Sequence, residues 1–82
     1  MNNNWIEENN ALEKTFEFRD FKEALAFVNR VGEIAERMQH HPDVGIKDYK
    51  KVWISTTTHD DGNTITVKDR ELAEEIDKVF VS

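Results

Sequence analysis

The segment between Asp20 and Pro42 constrains the fold more than any other part of the chain, because it has the pattern of one long amphipathic helix. Apolar residues recur there at spacings of three and four, as on one face of a helix. They are Phe21, Ala24, Leu25, Val28, Val31, Ala35 and Met38. Asp20 is a favourable N-cap, and Glu23 follows three residues later as in a capping box. Pro42 disfavours helical geometry just before it, so the helix is predicted over residues 20–39.

The residues before this helix alternate in the manner of β-strands. Residues 5–18 predict a hairpin whose turn is Asn9-Asn10, because asparagine tolerates a positive φ angle. The second strand of this hairpin presents alternate apolar side chains on one face. These are Leu12, Phe16 and Phe18.

The residues after the helix predict a second pair of strands, over residues 46–49 and 51–59. In the longer strand, Trp53 and His59 share the face opposite to Val52. A bulky tryptophan on a sheet face that no helix covers is typical of a surface that binds a partner.

A second helix is predicted near the end of the chain. Residues 60–65 form a loop, and Thr66 then serves as the N-cap of a helix that extends to about Phe80, with Asp69 three residues after the cap. The element order is therefore ββαββα. This order favours an α+β fold of two layers, a four-stranded antiparallel sheet with both helices packed on one face.

The length of 82 residues predicts a single domain over residues 5–82, preceded by a loose terminus at residues 1–4. A core this small gains stability from self-association, so a homodimer or homotetramer is expected. The net charge of −6 argues against direct nucleic-acid binding, which needs a clustered basic surface.

The chain contains no cysteine, which excludes disulfides and thiolate catalysis and fits a cytoplasmic location. The first residues have neither the basic nor the apolar segment of a signal peptide. No apolar run is long enough to cross a membrane, so no membrane partner is expected.

The three histidines lie at the ends of predicted elements: His40 and His41 leave the long helix, and His59 leaves a strand. With Asp60 or Asp61 they supply enough donors for a metal ion, although adjacent histidines on a helix point apart. An imidazole can also exchange protons near neutral pH. Taken singly, each histidine is better explained structurally, for example by the favourable interaction of a histidine with a helix C-terminus.

The order of these residues along the chain is more specific than any one of them. Over residues 5 to about 80, the sequence resembles the pterin-4a-carbinolamine dehydratases. The residues that match the family signature are Glu36, His40, His41, Pro42, Tyr49, His59 and Asp69. The flanking matches are Trp5, the run Phe16-x-Phe18-x-Asp20-Phe21 and Thr57-Thr58-His59-Asp60.

This resemblance implies an enzyme that removes water from 4a-hydroxytetrahydropterin to give quinonoid dihydropterin. The reaction recycles the pterin cofactor of aromatic amino-acid hydroxylases and needs neither a metal nor an organic cofactor. The resemblance implies three catalytic residues, His40, His41 and His59. We expect His40 and His59 to form the acid/base pair and His41 to serve chiefly in binding and orientation.

The resemblance also implies four substrate-binding or orienting residues, Glu36, Pro42, Asp60 and Asp69. The carboxylates of Glu36 and Asp69 would orient the imidazoles, and Pro42 would fix the bend between the adjacent histidines. Residues 61–64 depart from the family's usual glycine-rich run. The alternative function is a non-catalytic module that binds a pterin or a protein, comparable to a transcriptional cofactor.

Overall fold

The computed structural model describes residues 5–80, so the predicted loose terminus at residues 1–4 lies outside the described residues. A strand pair, a long helix, a second strand pair and a second helix follow one another. Their bounds are β1 Ile6–Glu8, β2 Ala11–Glu17, α1 Phe21–Met38, β3 Asp43–Lys47, β4 Lys51–Thr56 and α2 Val67–Val79, with a 3-10 turn at His59–Asp61 before α2. The predicted ββαββα order and α+β class are confirmed.

The strands form one four-stranded antiparallel sheet in the order β1-β2-β4-β3. Phe16 of β2 lies opposite Val52 of β4, and Val44 of β3 lies opposite Ile54. Side chains of both helices pack on this face and form the core with it, which confirms the two-layer prediction. The fully packed members are Phe16, Ala24, Phe27, Val31, Ile34, Val52, Ile54, Leu72 and Ile76.

The buried face of α1 differs in part from the predicted one. Phe27 and Ile34 are buried, whereas Phe21 and Leu25 are 49% and 43% exposed. Successive helical residues are rotated by about 100°, so Leu25 is turned well away from a face centred on Val31. The prediction that Phe21 and Leu25 lie in the core is therefore wrong, and the stripe is displaced around the helix toward Phe27 and Ile34. Within residues 5–80, neither helix could span a membrane.

The N-terminus of α1 is capped largely as predicted. The Asp20 carboxylate accepts a hydrogen bond from the amide of Glu23 at 2.9 Å. The Glu23 carboxylate accepts from the amide of Arg19 at 3.1 Å, one residue further back than a capping box requires. The Asp20 side chain thus satisfies an amide that the first turn of a helix leaves without a partner, whereas the Glu23 side chain binds the amide of the residue before the N-cap.

The second hairpin differs from its predicted boundaries. Strand β3 spans Asp43–Lys47 rather than residues 46–49, because Asp48 and Tyr49 both adopt positive φ angles, 50° and 54°, and form the turn. Strand β4 ends at Thr56 instead of residue 59. Both shifts arise in the loops, where the alternation of apolar residues carries no information about backbone conformation.

The predicted placement of His59 on the same sheet face as Trp53 is wrong. The amide of Thr58 donates to the carbonyl of Thr64 at 3.0 Å, and the Thr64 amide returns a bond at 3.3 Å. This bridge closes a loop that begins with the 3-10 turn, so His59 leaves the sheet. Trp53 does lie on the face away from the helices, with Lys47 Nζ 5.3 Å from its ring centroid.

Candidate active site

All three histidines line one cleft with a volume of about 240 Å³. The cleft lies where the C-terminal end of α1 meets the 3-10 turn and the first turn of α2. Its lining residues are Gln39, His40, His41, Thr57, Thr58, His59, Asp60 and Lys68. Residues that are separated by up to 29 positions in sequence are thus brought together at one end of the molecule.

The end of α1 sets the direction in which His40 leaves the helix. Gln39 adopts the left-handed conformation, with φ 54° and ψ 43°. The amide of His40 then donates to the carbonyl of Ala35 at 3.1 Å, and that of Gln39 donates to Glu36 at 3.3 Å. These two bonds form a Schellman motif, which ends the helix before Pro42 is reached.

His40 is anchored by a buried carboxylate. Its Nε2 lies 2.6 Å from Oδ1 of Asp69, and the two side chains are 12% and 0% exposed. Asp69 stands in the first turn of α2, where it accepts from the amide of Thr66 at 3.0 Å and so completes the predicted capping box. The cap of one helix and the end of the other are therefore joined through His40.

Asp69 accepts two further hydrogen bonds, from the hydroxyls of Thr56 and Thr58, each at 2.7 Å. Burial by itself would raise the pKa of Asp69. The hydrogen bonds from His40, Thr56, the Thr66 amide and Thr58 together outweigh burial and hold its pKa below the usual value. The group beside His40 is consequently a carboxylate at neutral pH.

His41 is held differently from its neighbour. Its Nε2 lies 2.6 Å from Oε2 of Glu36, and these side chains are 57% and 74% exposed. The left-handed turn at Gln39 therefore lets adjacent imidazoles bind two different carboxylates, one buried and one in solvent. Both carboxylates are among the orienting residues expected from the sequence.

His59 has a neutral partner. Its Nδ1 lies 2.6 Å from Oδ1 of Asn63, four residues later in the same loop. When that amide oxygen accepts from Nδ1, the ring carries its proton on Nδ1 and Nε2 is available to a ligand in the cleft. Asn63 itself adopts a positive φ of 59°, a conformation that asparagine tolerates better than most residues.

The two remaining predicted site residues, Asp60 and Pro42, differ in their position relative to the cleft. Asp60 lines the cleft beside His59. Pro42 does not line it; it is half-buried between the histidine pair and β3. Among the residues that the structure describes, no three His, Asp or Glu side chains are arranged to hold a metal ion.

Six residues of this site were not predicted to belong to it, although Thr57 and Thr58 were among the flanking family matches: Gln39, Thr56, Thr57, Thr58, Asn63 and Lys68. Thr56 and Thr58 continue the alternation of the buried face of β4, so their spacing was a usable signal for hydroxyls that point inward. Asn63 lies in the stretch that departs from the family's glycine-rich run. Lys68 gave no signal, because its approach to the cleft depends on how α2 packs.

The sequence of this chain matches a known protein family. A family model described as pterin 4 alpha carbinolamine dehydratase matches residues 1–79. A protein of Sulfurisphaera tokodaii is 53% identical over 76 residues, which cover 93% of this chain and 80% of the relative. A protein of Prochlorococcus marinus is 44% identical over 81 residues, covering 99% and 83%. Both carry the provisional description pterin-4-alpha-carbinolamine dehydratase.

Two solved structures are similar to this chain. One is described as a transcriptional coactivator/pterin dehydratase from Brucella melitensis; it has a TM-score of 0.81 and 28% identity, covering 90% of this chain and 79% of that chain. The other is a pterin dehydratase-like protein identified as a RuBisCO assembly factor in the alpha-carboxysome, with a TM-score of 0.71, 20% identity and coverage of 90% and 83%. The second likeness concerns the fold alone.

Proposed function

The chain belongs to the pterin 4 alpha carbinolamine dehydratase family, and on that premise we propose that it dehydrates 4a-hydroxytetrahydropterin to quinonoid dihydropterin by histidine acid/base catalysis. One observation carries the proposal beyond family membership. Three imidazoles line a single cleft, and a polar side chain fixes each of them. No other cluster of the described residues combines so many groups able to exchange protons near neutral pH.

The reaction requires two proton transfers on a flat ring. A proton reaches the hydroxyl on C4a, the C4a–O bond breaks, and the oxygen leaves as water with the bonding electron pair. A base removes the proton from N5, and the electrons of the N5–H bond form the N5=C4a double bond. No electrons enter or leave the substrate, so an acid and a base positioned on the ring are sufficient.

His40 and His59 are the proposed acid/base pair. Both rings are fixed at one nitrogen, His40 through Nε2 to Asp69 and His59 through Nδ1 to Asn63, so each has its other nitrogen free for the substrate. A positioned group of this kind contributes about 10²–10⁴-fold to rate. His41, tied to an exposed Glu36, is proposed to bind and orient the pterin.

The physiological role follows from the product. We propose that the enzyme recycles the pterin cofactor of aromatic amino-acid hydroxylases, acts in the cytoplasm and works as a homodimer or homotetramer. Asp60 is proposed to contact the pterin, and Pro42 to hold the chain direction after the histidine pair.

A second candidate is a non-catalytic module that binds a pterin or a protein. Two observations favour it: Trp53 on the sheet face that the helices leave open, and the description of the Brucella melitensis relative as a transcriptional coactivator. Binding of a pterin without turnover would distinguish this function from catalysis.

The test is the decay of 4a-hydroxytetrahydropterin generated by a pterin-dependent hydroxylase. The purified protein is expected to accelerate that decay, and His40→Ala is expected to reduce the acceleration on the order of 100-fold. Asn29→Ala, on the exposed side of α1, is the matched control and should have the wild-type rate. Pterin binding with no acceleration by the wild type would instead support the non-catalytic function.

A further inference from the structure

Three threonines converge on the carboxylate that holds His40. Oδ1 of Asp69 accepts from Thr56, and Oδ2 accepts from Thr58, both at 2.7 Å. The hydroxyl of Thr66 lies 2.7 Å from that of Thr58. Thr56, Thr58 and Asp69 are 1%, 2% and 0% exposed, so water does not compete for these bonds. We call Thr56, Thr58 and Thr66 the threonine cradle.

The direction of each hydrogen bond in the cradle follows from chemistry. An ionised carboxylate only accepts, so the protons of Thr56 and Thr58 must both point to Asp69. The oxygen of Thr58 is then the acceptor for the Thr66 hydroxyl, whose own oxygen accepts from the amide of Lys68 at 3.2 Å. Each hydroxyl donates once, and none has a second proton for the carboxylate.

This arrangement determines the proton position on His40. With the Thr66 amide, Asp69 accepts four hydrogen bonds, two on each oxygen. If Asp69 were protonated, its own O–H would point at a group that already donates to it, and one of the four hydrogen bonds would be lost. The carboxylate therefore accepts from His40, and Nε2 of that ring carries a proton in both its charged and its neutral form. Nδ1 is consequently the nitrogen of His40 that exchanges protons.

We propose that Thr56 and Thr58 are positioning residues for the dehydration, which fix Asp69 and thereby hold His40 as the Nε2–H tautomer. The proposal rests on the proposed function for its catalytic consequence, but the tautomer is a property of the free protein. Thr56 is the decisive member, because it shares Oδ1 with His40 and does not line the cleft. The hydroxyl of Thr56 binds Asp69, so its removal is expected to affect catalysis through Asp69.

The first experiment needs no variant. Nitrogen-15 NMR of the imidazole rings, recorded on the wild-type protein at a pH where they are neutral, is expected to show His40 as the Nε2–H tautomer. A His40 ring protonated on Nδ1 would overturn the proposal. Because this measurement uses no substrate, a protein without dehydratase activity would still test it, and the failure of the proposed function remains separable.

The second experiment removes one hydroxyl and keeps the shape of the side chain. Thr56→Val leaves the carboxylate charged, so His40 should stay the Nε2–H tautomer; because Asp69 is held less firmly, the His40 nitrogen resonances should shift and kcat should fall on the order of tenfold, with KM changed less than twofold. Thr56→Ser restores the hydroxyl and should recover most of the rate. Thr15→Val, on the open face of the same sheet, should match the wild type. Wild-type kcat and an unchanged His40 spectrum in Thr56→Val would contradict the positioning role.

Discussion

Replacement of Asp69 by asparagine tests the link between the buried carboxylate and the stability of the fold. The side chain keeps its size, but one acceptor oxygen becomes an NH2 group that faces two donors, the Thr58 hydroxyl and the Thr66 amide. The hydroxyl can rotate, whereas the amide cannot. The Thr66 amide therefore loses its acceptor, which costs about 1–3 kcal/mol.

The two bonds that remain on the other oxygen also weaken in this variant. Hydrogen bonds from His40 and Thr56 to a charged acceptor are each stronger by about 1 kcal/mol than bonds to a neutral amide. The expected loss in the free energy of unfolding of Asp69→Asn is thus about 3–5 kcal/mol. That is a large fraction of the ~5–15 kcal/mol available to a domain.

Urea unfolding at neutral pH measures this loss as a lower transition midpoint with an unchanged m-value. Glu71→Gln is the matched control, because it removes an exposed carboxylate from the same helix and should change stability by less than about 0.5 kcal/mol. An Asp69→Asn protein as stable as the control would show that the charge of Asp69 and its four hydrogen bonds contribute nothing to stability.

The pH dependence of the free energy of unfolding tests the contribution of Asp69 independently. The pKa of Asp69 is lower in the folded than in the unfolded protein, so the unfolded state binds the proton first as pH falls. The contribution of Asp69 is therefore complete above its unfolded pKa of about 4 and is lost progressively below it. The acid side of the stability curve should flatten in Asp69→Asn.

Three further outcomes are expected. Asn63→Gly keeps the left-handed backbone but removes the partner of His59, so kcat should fall several-fold while thermal unfolding shows little change in stability. Glu36→Gln removes the charge beside His41 and should raise KM more than it lowers kcat in steady-state assays, if His41 serves binding. Phe27→Ala should destabilise by about 3–5 kcal/mol and Leu25→Ala by far less, as measured in urea, because only Phe27 is buried; equal effects would contradict the corrected face of α1.

Much of the fold was predictable because burial leaves a periodic trace in the sequence. The alternation around Val52 and Ile54 and the three-and-four spacing around Val31 identify the elements and their inner faces. The periodicity did not identify Phe27 as a member of the buried face of α1. Apolar residues flank the helical stripe on both sides, and the spacing alone does not tell which side is buried. The turn at Asp48-Tyr49 was missed because a positive φ is unusual for tyrosine, although aspartate is a common turn residue.

For the candidate site, the sequence indicated which residues to consider. It did not indicate how their side chains are directed or what they bind. The order of His40, His41 and His59 indicated that they act together, and the structure brings them to one cleft. The left-handed Gln39 that directs His40 and His41 to different partners leaves no mark in the sequence, because glutamine is unusual at such a position. The hydroxyls around Asp69 could be found only once strand β4 and helix α2 were packed together.

The most direct test of histidine acid/base catalysis is the rate at which 4a-hydroxytetrahydropterin loses water in the presence of the double variant His40→Ala, His59→Ala. The variant removes both proposed proton-transfer groups and leaves His41 in place. Circular dichroism establishes that it is folded before the rate is measured. The wild-type protein is expected to accelerate the dehydration, and the folded double variant is expected to give a rate close to that without protein. A folded double variant with the wild-type rate would contradict this mechanism.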